Sequence, residues 1–129
     1  MDRALKLSQR QYHNIFGKQK NKYNNKRVKY NGINFASQKE FKRYLYLLDQ
    51  QTKGYIKDLV LQPRFELQEK FEKGGVKYRA ITYVADFQYF DTRLNKTIVE
   101  DTKGFITDVY RIKKTLFEKK YIALTIKEI

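Results

Sequence analysis

Three residues suited to metal and proton chemistry lie in the middle of the chain: Asp86, Asp101 and Lys103. Both acids fall in apolar runs rich in β-branched and aromatic residues, which predict strands, and the polar segment 91–96 between them predicts a turn. A hairpin folded about the midpoint Arg93–Leu94 places Asp86 opposite Asp101, and side-chain alternation puts Lys103 on the face of Asp101. Two carboxylates and an ammonium group on one side of a sheet can hold a divalent cation beside a proton-transfer group.

Each of these residues also has a simpler interpretation. A carboxylate inside an apolar strand needs a partner, so an ion pair of Asp86 with Lys103 or Arg79 is the structural alternative. Lys103 can equally be a solvated lysine at a strand end. If a bulge shifts the register by one residue, Glu100 takes the place of Asp101, although the spacing of two to the lysine favours Asp101.

The composition indicates one strongly basic domain. The chain has 129 residues, a formal net charge of +14 and no cysteine, which excludes disulfides and thiolate metal sites. Such a charge favours phosphate, above all in nucleic acid, and an interaction protein with an acidic partner is a weaker alternative. Neither an apolar run of membrane length nor a signal-peptide pattern is visible, so we expect an intracellular, cytoplasmic protein without membrane binding.

The charge is concentrated at the start of the chain. Residues 1–29 hold nine Lys or Arg against one acid, and residues 1–25 are too polar to order themselves, so they predict a flexible basic arm before a domain over 26–129. Cations of this region are expected to neutralise DNA phosphates without reading sequence. They are Lys18, Lys20, Lys22, Lys26 and Arg27.

The first elements of the domain have specific local signals. Asn31-Gly32 between apolar runs predicts a tight hairpin over residues 28–35. Ser37 and Glu40 match a capping box, which predicts the start of a helix that Gly54 ends. An extended segment with a break at Pro63 follows.

The second half predicts a long strand over Val76–Tyr89, a strand over Thr97–Lys103, a helix capped by Thr107 or Asp108, and a last strand over residues 121–126. The inner side of that helix is expected to carry Val109, Ile112, Leu116 and Phe117. The order of helix, three strands, helix and strand predicts an α/β fold: a mixed central β-sheet flanked by helices.

Two short stretches connect the chain with a known superfamily. The stretches Ala85-Asp86-Phe87 and 99–104 (VEDTKG) resemble the paired signature of the PD-(D/E)XK nucleases, whose restriction-endonuclease-like core has the order αβββαβ. Ala85 stands where the name-giving motif has Pro. The stretches 31–40, 61–65 and 78–83 are similar to a family of small bacteriophage proteins, grouped with phage replication proteins and Holliday junction resolvase-like nucleases. This resemblance covers about residues 26–129.

The resemblance implies a Mg²⁺-dependent (or Mn²⁺-dependent), structure-selective DNA endonuclease of phage replication or recombination in a bacterial host cell. Asp86 and Asp101 are then metal ligands, joined by the backbone carbonyl of Thr102. Lys103 orients or deprotonates the attacking water. Glu40 lies where such nucleases often carry another acidic ligand, although the capping box alone explains it.

The resemblance also bears on DNA contact and assembly. Lys113 and Lys114 on the second helix, with Tyr110 one turn back, are expected to flank the scissile phosphate, although a solvated face explains the two lysines equally well. Branched DNA is the expected substrate, and symmetrical cutting of two strands implies a homodimer. The alternative function is a non-catalytic nucleic-acid-binding module that kept a nuclease-like fold.

Overall fold

The structure is a computed structural model that describes residues 27–129. It divides the chain into two units, one ending at Ile56 and the other covering Lys57–Ile129. The predicted arm lies outside the described residues, and so do the DNA-binding predictions for Lys18, Lys20, Lys22 and Lys26. The division into an arm and one nuclease-like domain therefore stays a prediction.

In the first unit, strands β1 (Val28–Tyr30) and β2 (Ile33–Phe35) form an antiparallel hairpin. Asn31 and Gly32 make its turn with positive φ angles of 50° and 77°. This backbone suits Asn and Gly, whose small or absent side chains tolerate the left-handed region. The predicted hairpin is confirmed.

Helix α1 (Gln38–Thr52) completes the described part of the first unit. Its N-cap is Ser37, whose Oγ accepts the N–H of Glu40 at 3.2 Å. The Glu40 carboxylate reaches back and accepts the N–H of Ala36, the residue before the N-cap, at 3.3 Å. Phe41 is buried and packs on Phe35 with ring centroids 5.3 Å apart. The predicted capping box is confirmed.

The second unit contains most of the strands and one helix. In chain order these are β3 (Ile56–Leu61, which begins at the boundary), β4 (Arg64–Gln68), β5 (Phe71–Lys73), β6 (Val76–Tyr78), β7 (Ile81–Val84), β8 (Phe87–Asp91), β9 (Lys96–Asp101), α2 (Asp108–Lys120) and β10 (Ile126–Glu128). A four-stranded sheet has the order β10-β9-β8-β3, while β4–β7 and β5–β6 form two-stranded sheets. Because β9 pairs antiparallel with β8 and parallel with β10, the four-stranded sheet is mixed. The predicted mixed α/β class is confirmed.

The prediction of one long strand over Val76–Tyr89 is wrong, because three strands cover this range. The chain changes its neighbour between Ala85 and Asp86. The Ala85 N–H donates to the Pro63 carbonyl at 3.1 Å, beside β4, whereas the Asp86 N–H donates to the Glu100 carbonyl at 3.0 Å, in β9. Strand β7 ends at Val84 and β8 begins at Phe87, so the first acid of the predicted site lies in the break between them.

Of the residues predicted on the inner side of helix α2, Phe117 is buried, but the helix packs mainly through an aromatic side that the prediction did not include. Tyr110 and Phe117 are buried, whereas Val109 is 62% and Ile112 is 61% exposed. The rings enter a core formed with Phe65, Tyr83, Ala85, Val99 and Ile126. The helix offers two apolar sides, and the aromatic side removes more area from water, so it is the one turned inward. Neither helix in residues 27–129 has the length and apolarity needed to span a membrane.

Candidate active site

The turn between β8 and β9 sets the register on which the site depends. Asp91 Oδ1 accepts the N–H groups of Arg93 and Leu94, each at 2.9 Å, and this side-chain turn fixes the loop. The strands then pair without a shift from Asp91↔Lys96 to Phe87↔Glu100. Asp86 and Asp101 lie just beyond this ladder, where the Asp86 N–H donates to the Glu100 carbonyl at 3.0 Å, and their carboxyl groups are close enough to interact, as the sequence predicts.

Asp86 lies just before β8 and is partly exposed. Its Oδ2 accepts both the N–H and the hydroxyl of Thr102, each at 2.6 Å. The residue that follows Asp101 therefore fixes the carboxylate of Asp86. Thr102 acts here as a donor through its N–H and hydroxyl, and the metal-ligand role of its carbonyl stays a prediction.

Asp101 ends β9 and is only 2% exposed. Its Oδ2 accepts a hydrogen bond from the Tyr83 hydroxyl, and its Oδ1 lies 3.4 Å from Lys103 Nζ. Burial raises the pKa of Asp101 to about 6, and the neighbouring Asp86 adds to the rise, while Tyr83 and Lys103 oppose it. The site thus holds two close carboxyl groups that repel each other when both are ionised.

The lysine of the site is held by a second set of contacts. Lys103 Nζ lies 4.4 Å from the centre of the Tyr110 ring, where the face of the ring attracts a cation. The Tyr110 hydroxyl donates to Glu128 Oε2 at 2.7 Å, and Glu128 Oε1 lies 3.5 Å from Lys114 Nζ. The Tyr110 bond lowers the pKa of Glu128, with help from Lys114. The Glu128 carboxylate is therefore negatively charged, and the ammonium groups of Lys114 and Lys103 stabilise that charge.

These contacts change the roles predicted for the cations of α2. Tyr110 is 5% exposed, so its ring supports Lys103 and offers little surface to DNA. Lys114 is paired with Glu128. Lys113 lines an open cleft of about 300 Å³ together with Lys103, Tyr83 and Tyr110. Lys103 and Lys113 thus give the cleft two cations, while Arg27 is exposed in the first unit.

Glu100, the alternative to Asp101, lies on the opposite face of β9. It is fully buried and accepts a hydrogen bond from the Tyr89 hydroxyl. No register shift interrupts the β8–β9 ladder. Asp101 is therefore the acid that lies with Lys103 and Asp86.

Glu40 belongs to the first unit, and its contacts with Ala36 and Ser37 are those of a helix cap. It is 5% exposed. Its capping role is confirmed, and its role as a metal ligand stays a prediction.

The donor set fits a hard divalent cation of the Mg²⁺ type. No group of three or more Asp, Glu, His or Cys within residues 27–129 is arranged to hold a metal. Mg²⁺, however, commonly keeps several waters and binds through one or two carboxylates plus substrate phosphate. Asp86 and Asp101 meet that smaller requirement, and their mutual repulsion would be relieved by a cation. Lys103 Nζ lies 3.4 Å from Asp101 Oδ1, which is long for a hydrogen bond. A bound cation could therefore replace Lys103 at this oxygen.

Sequence reasoning missed two residues of this cluster, Tyr83 and Glu128. Both had a signal: a tyrosine inside an apolar strand needs an acceptor for its hydroxyl, and an acid in the last strand needs a cation or donor. Burial and the bond to Asp101 raise the pKa of Tyr83, so the hydroxyl stays a donor. The missing information was spatial, because Glu128 reaches the site only through the parallel pairing of β10 with β9.

Comparison with curated proteins and with solved structures finds no match. A family model matches residues 20–129, which include every described residue of the cluster. Its description is "Protein of unknown function (DUF1064)". The chain belongs to this family, DUF1064.

Proposed function

We propose that this protein is a metal-dependent endonuclease that hydrolyses phosphodiester bonds in branched DNA. One observation carries the proposal: Asp86, Asp101 and Lys103 lie together, and Lys103 also lines an open cleft with Lys113. Paired acids with an adjacent amine are a common solution for phosphate hydrolysis. The restriction-endonuclease-like core and the role in phage replication or recombination belong to this proposal.

Asp86 and Asp101 would hold Mg²⁺ or Mn²⁺, which when bound activates water and offsets negative charge on the phosphate. Thr102 orients Asp86 through two hydrogen bonds, and Tyr83 orients Asp101. Lys103 neutralises the charge that develops on the phosphate and orients the attacking water. Tyr110 holds the Lys103 ammonium group from its other side.

DNA is the partner that the charge favours. The chain carries 28 Lys and Arg against 14 Asp and Glu, and the cleft beside the carboxylates is itself lined by Lys103 and Lys113. Phosphate contacts of this kind position the backbone without selecting a base sequence. Selectivity for a branched shape then comes from geometry, which suits a structure-selective enzyme.

The test is nicking of a labelled four-way junction with Mg²⁺, compared with duplex, fork, flap and single strand. Wild type is expected to nick, while Asp86→Asn and Lys103→Met lose activity in Mg²⁺ and in Mn²⁺. Glu72→Gln and Lys127→Met change exposed residues of the same types outside the site, and both should cut like wild type. An inactive wild type, or an equally active Asp86→Asn, would falsify the proposal.

A second candidate is a nucleic-acid-binding module without catalysis. It is favoured by one observation: residues 27–129 contain no group of three potential metal ligands. This candidate predicts DNA binding that weakens steeply with salt and is the same in chelator and in Mg²⁺. The junction assay separates the two candidates, because only the nuclease produces a metal-dependent product.

A further inference from the structure

The β5–β6 hairpin is exposed over its whole length. It continues the β4–β7 pair in the same register, from Gln68↔Ile81 to Phe71↔Tyr78. Every residue from 68 to 81 is exposed, so the hairpin takes no part in the core. A two-stranded ribbon of this kind gains little stability of its own. Its side chains are therefore open to a partner.

One face of the hairpin carries two stacked aromatic rings. Phe71 and Tyr78 oppose each other across the strands, with ring centroids 4.7 Å apart and an interplanar angle of 10°. They remain 43% and 46% exposed, so each ring contacts the other and still keeps close to half of its surface in water. Side-chain alternation adds Lys73 and Val76 to this face and places Glu72 on the opposite one. We call the face with Phe71, Lys73, Val76 and Tyr78 the ring face.

We propose that the ring face binds unpaired bases of DNA, which extend the stack of the two rings. Exposed aromatic rings are the surfaces on which the bases of single strands stack, with little dependence on sequence. Cations beside the rings suit the phosphates that accompany the bases. Residues 69–79 hold four cations against two acids: Lys70, Lys73, Lys77 and Arg79 against Glu69 and Glu72.

DNA fits the ring face better than a protein partner does. The large apolar side chains of this face are Phe71, Val76 and Tyr78. Three side chains are too few for the roughly 800 Å² that each side of a stable protein interface buries. A stacked cross-strand pair also stabilises a hairpin by itself, but that role does not require the excess of cations around it.

The position of the hairpin along the chain agrees with a DNA partner. Tyr78 lies four residues before Thr82, which lines the cleft beside Lys103. Four extended residues span at most about 14 Å, so DNA bound in the cleft lies within reach of the hairpin. The inference deepens the proposed nuclease and rests on it for its purpose, because branched substrates such as forks and flaps carry unpaired strands next to a duplex.

The first test measures binding of the full chain to two single-stranded probes in chelator, by fluorescence anisotropy. One probe is a thymidine oligonucleotide of about 12 nucleotides, and the other is the same sugar-phosphate backbone without bases. Wild type is expected to bind the thymidine probe at least about tenfold more tightly. Phe71→Ala should weaken binding about tenfold, and this loss should be confined to the thymidine probe.

Tyr46→Ala is the matched control for the first test. Tyr46 is 47% exposed on α1, in the other unit, so its loss should not change the affinity for either probe. Equal binding of both probes by wild type, or equal losses in Phe71→Ala and Tyr46→Ala, would overturn the inference. A uridine RNA probe that binds more tightly than the thymidine probe would overturn the choice of DNA.

The second test places a reporter in the ring pair. The chain contains no tryptophan, so Tyr78→Trp creates a single emitter and keeps a flat ring opposite Phe71. A base that stacks on this ring should quench its fluorescence, whereas the probe without bases should not. Tyr46→Trp is the control and should keep its emission. Unchanged emission of Tyr78→Trp at saturating thymidine probe would overturn the inference even if Phe71→Ala binds weakly, because a distorted hairpin can weaken binding without any stacking.

Failures of the two proposals are distinguishable, because neither binding test needs a metal ion or cleavage. A protein that stacks bases on the ring face but fails to nick would overturn the nuclease and leave the ring face standing. An active nuclease in which the emission of Tyr78→Trp does not change would overturn only the ring face.

Discussion

Glu100 and Asp101 are neighbours in β9, yet they lie in opposite environments. Both are buried, and each accepts a hydrogen bond from a tyrosine, Tyr89 and Tyr83 respectively. Asp101 also has the carboxyl group of Asp86 and the ammonium group of Lys103 beside it. A buried carboxylate that accepts a hydrogen bond from a tyrosine can therefore have a purely structural role. Reactivity requires additional charged groups close to the carboxylate.

The largest expected difference between the two acids is in activity. Asp101→Asn should lower the nicking rate about 1,000-fold, because it removes one of two anionic oxygen groups from the site. Glu100→Gln keeps the volume on the other face and should retain most of the wild-type rate. Single-turnover cleavage of the junction in Mg²⁺ measures both, and equal losses would end the distinction between the two acids.

The next difference is in the pH dependence of stability. The pKa of Asp101 is raised from 3.8 to about 6 by burial and by Asp86, so the folded state binds this proton more tightly than the unfolded state does. The contribution is therefore fully present below about pH 4 and is lost as the pH rises through 6, by at most about 3 kcal/mol.

Urea unfolding in chelator at pH 4 and pH 8 measures this contribution. Asp101→Asn should be more stable than wild type at pH 8 and should lose this part of the pH slope. Glu100→Gln serves as the comparison, because it leaves Asp101 and Asp86 in place. The lowered pKa of Glu128 makes the protein less stable as the pH falls. This effect is the same in wild type and in both variants, so it cancels when their stabilities are compared. An unchanged slope in Asp101→Asn would contradict the assignment.

The two tyrosines should differ by a smaller amount. Tyr89→Phe leaves the fully buried Glu100 without this donor and should lower the free energy of unfolding by about 2 kcal/mol. Tyr83→Phe should lower it by only about 1 kcal/mol near pH 6, because Asp101 can take up a proton when its donor is lost. Urea unfolding at pH 6 compares them, and a larger loss for Tyr83→Phe would reverse the expected ranking.

The two acids should also differ in stabilisation by the cation. A ligand that binds only the folded state at ten times its dissociation constant adds about 1.4 kcal/mol. Mg²⁺ should therefore raise the melting temperature of wild type and of Glu100→Gln, but not of Asp101→Asn. Thermal unfolding with Mg²⁺ and with chelator provides the measurement, with Na⁺ at matched ionic strength as the control.

The sequence predicts the part of the site that depends on local pairing. Polar residues around Arg93 and Leu94 define one turn, and that turn determines which residues oppose each other, so the meeting of Asp86 and Asp101 follows from counting along two strands. Side-chain alternation predicts the contact of Lys103 with Asp101, which the structure contains although Lys103 lies beyond the end of β9. Glu128 is out of reach of such counting, because its position depends on where β10 docks.

The orientation of α2 shows a second limit. Its sequence contains two apolar sides, one with Tyr110 and Phe117 and one with Val109, Ile112 and Leu116. Helical periodicity identifies both sides but does not decide which of them faces the sheet. The core around Phe65 and Tyr83 accepts the larger rings, and that is a property of the assembled strands rather than of the helix.

The pairing of β10 with β9 also determines when the site is completed. The Ile129 N–H donates to the Asp101 carbonyl at 2.9 Å, and Glu128 lies opposite Asp101 in the parallel register. The β8–β9 hairpin closes over a short turn, whereas β10 must wait until α2 has been synthesised and packed. A growing chain therefore brings its two acids together early but leaves Lys103 and Tyr110 without Glu128 until the last described strand is made.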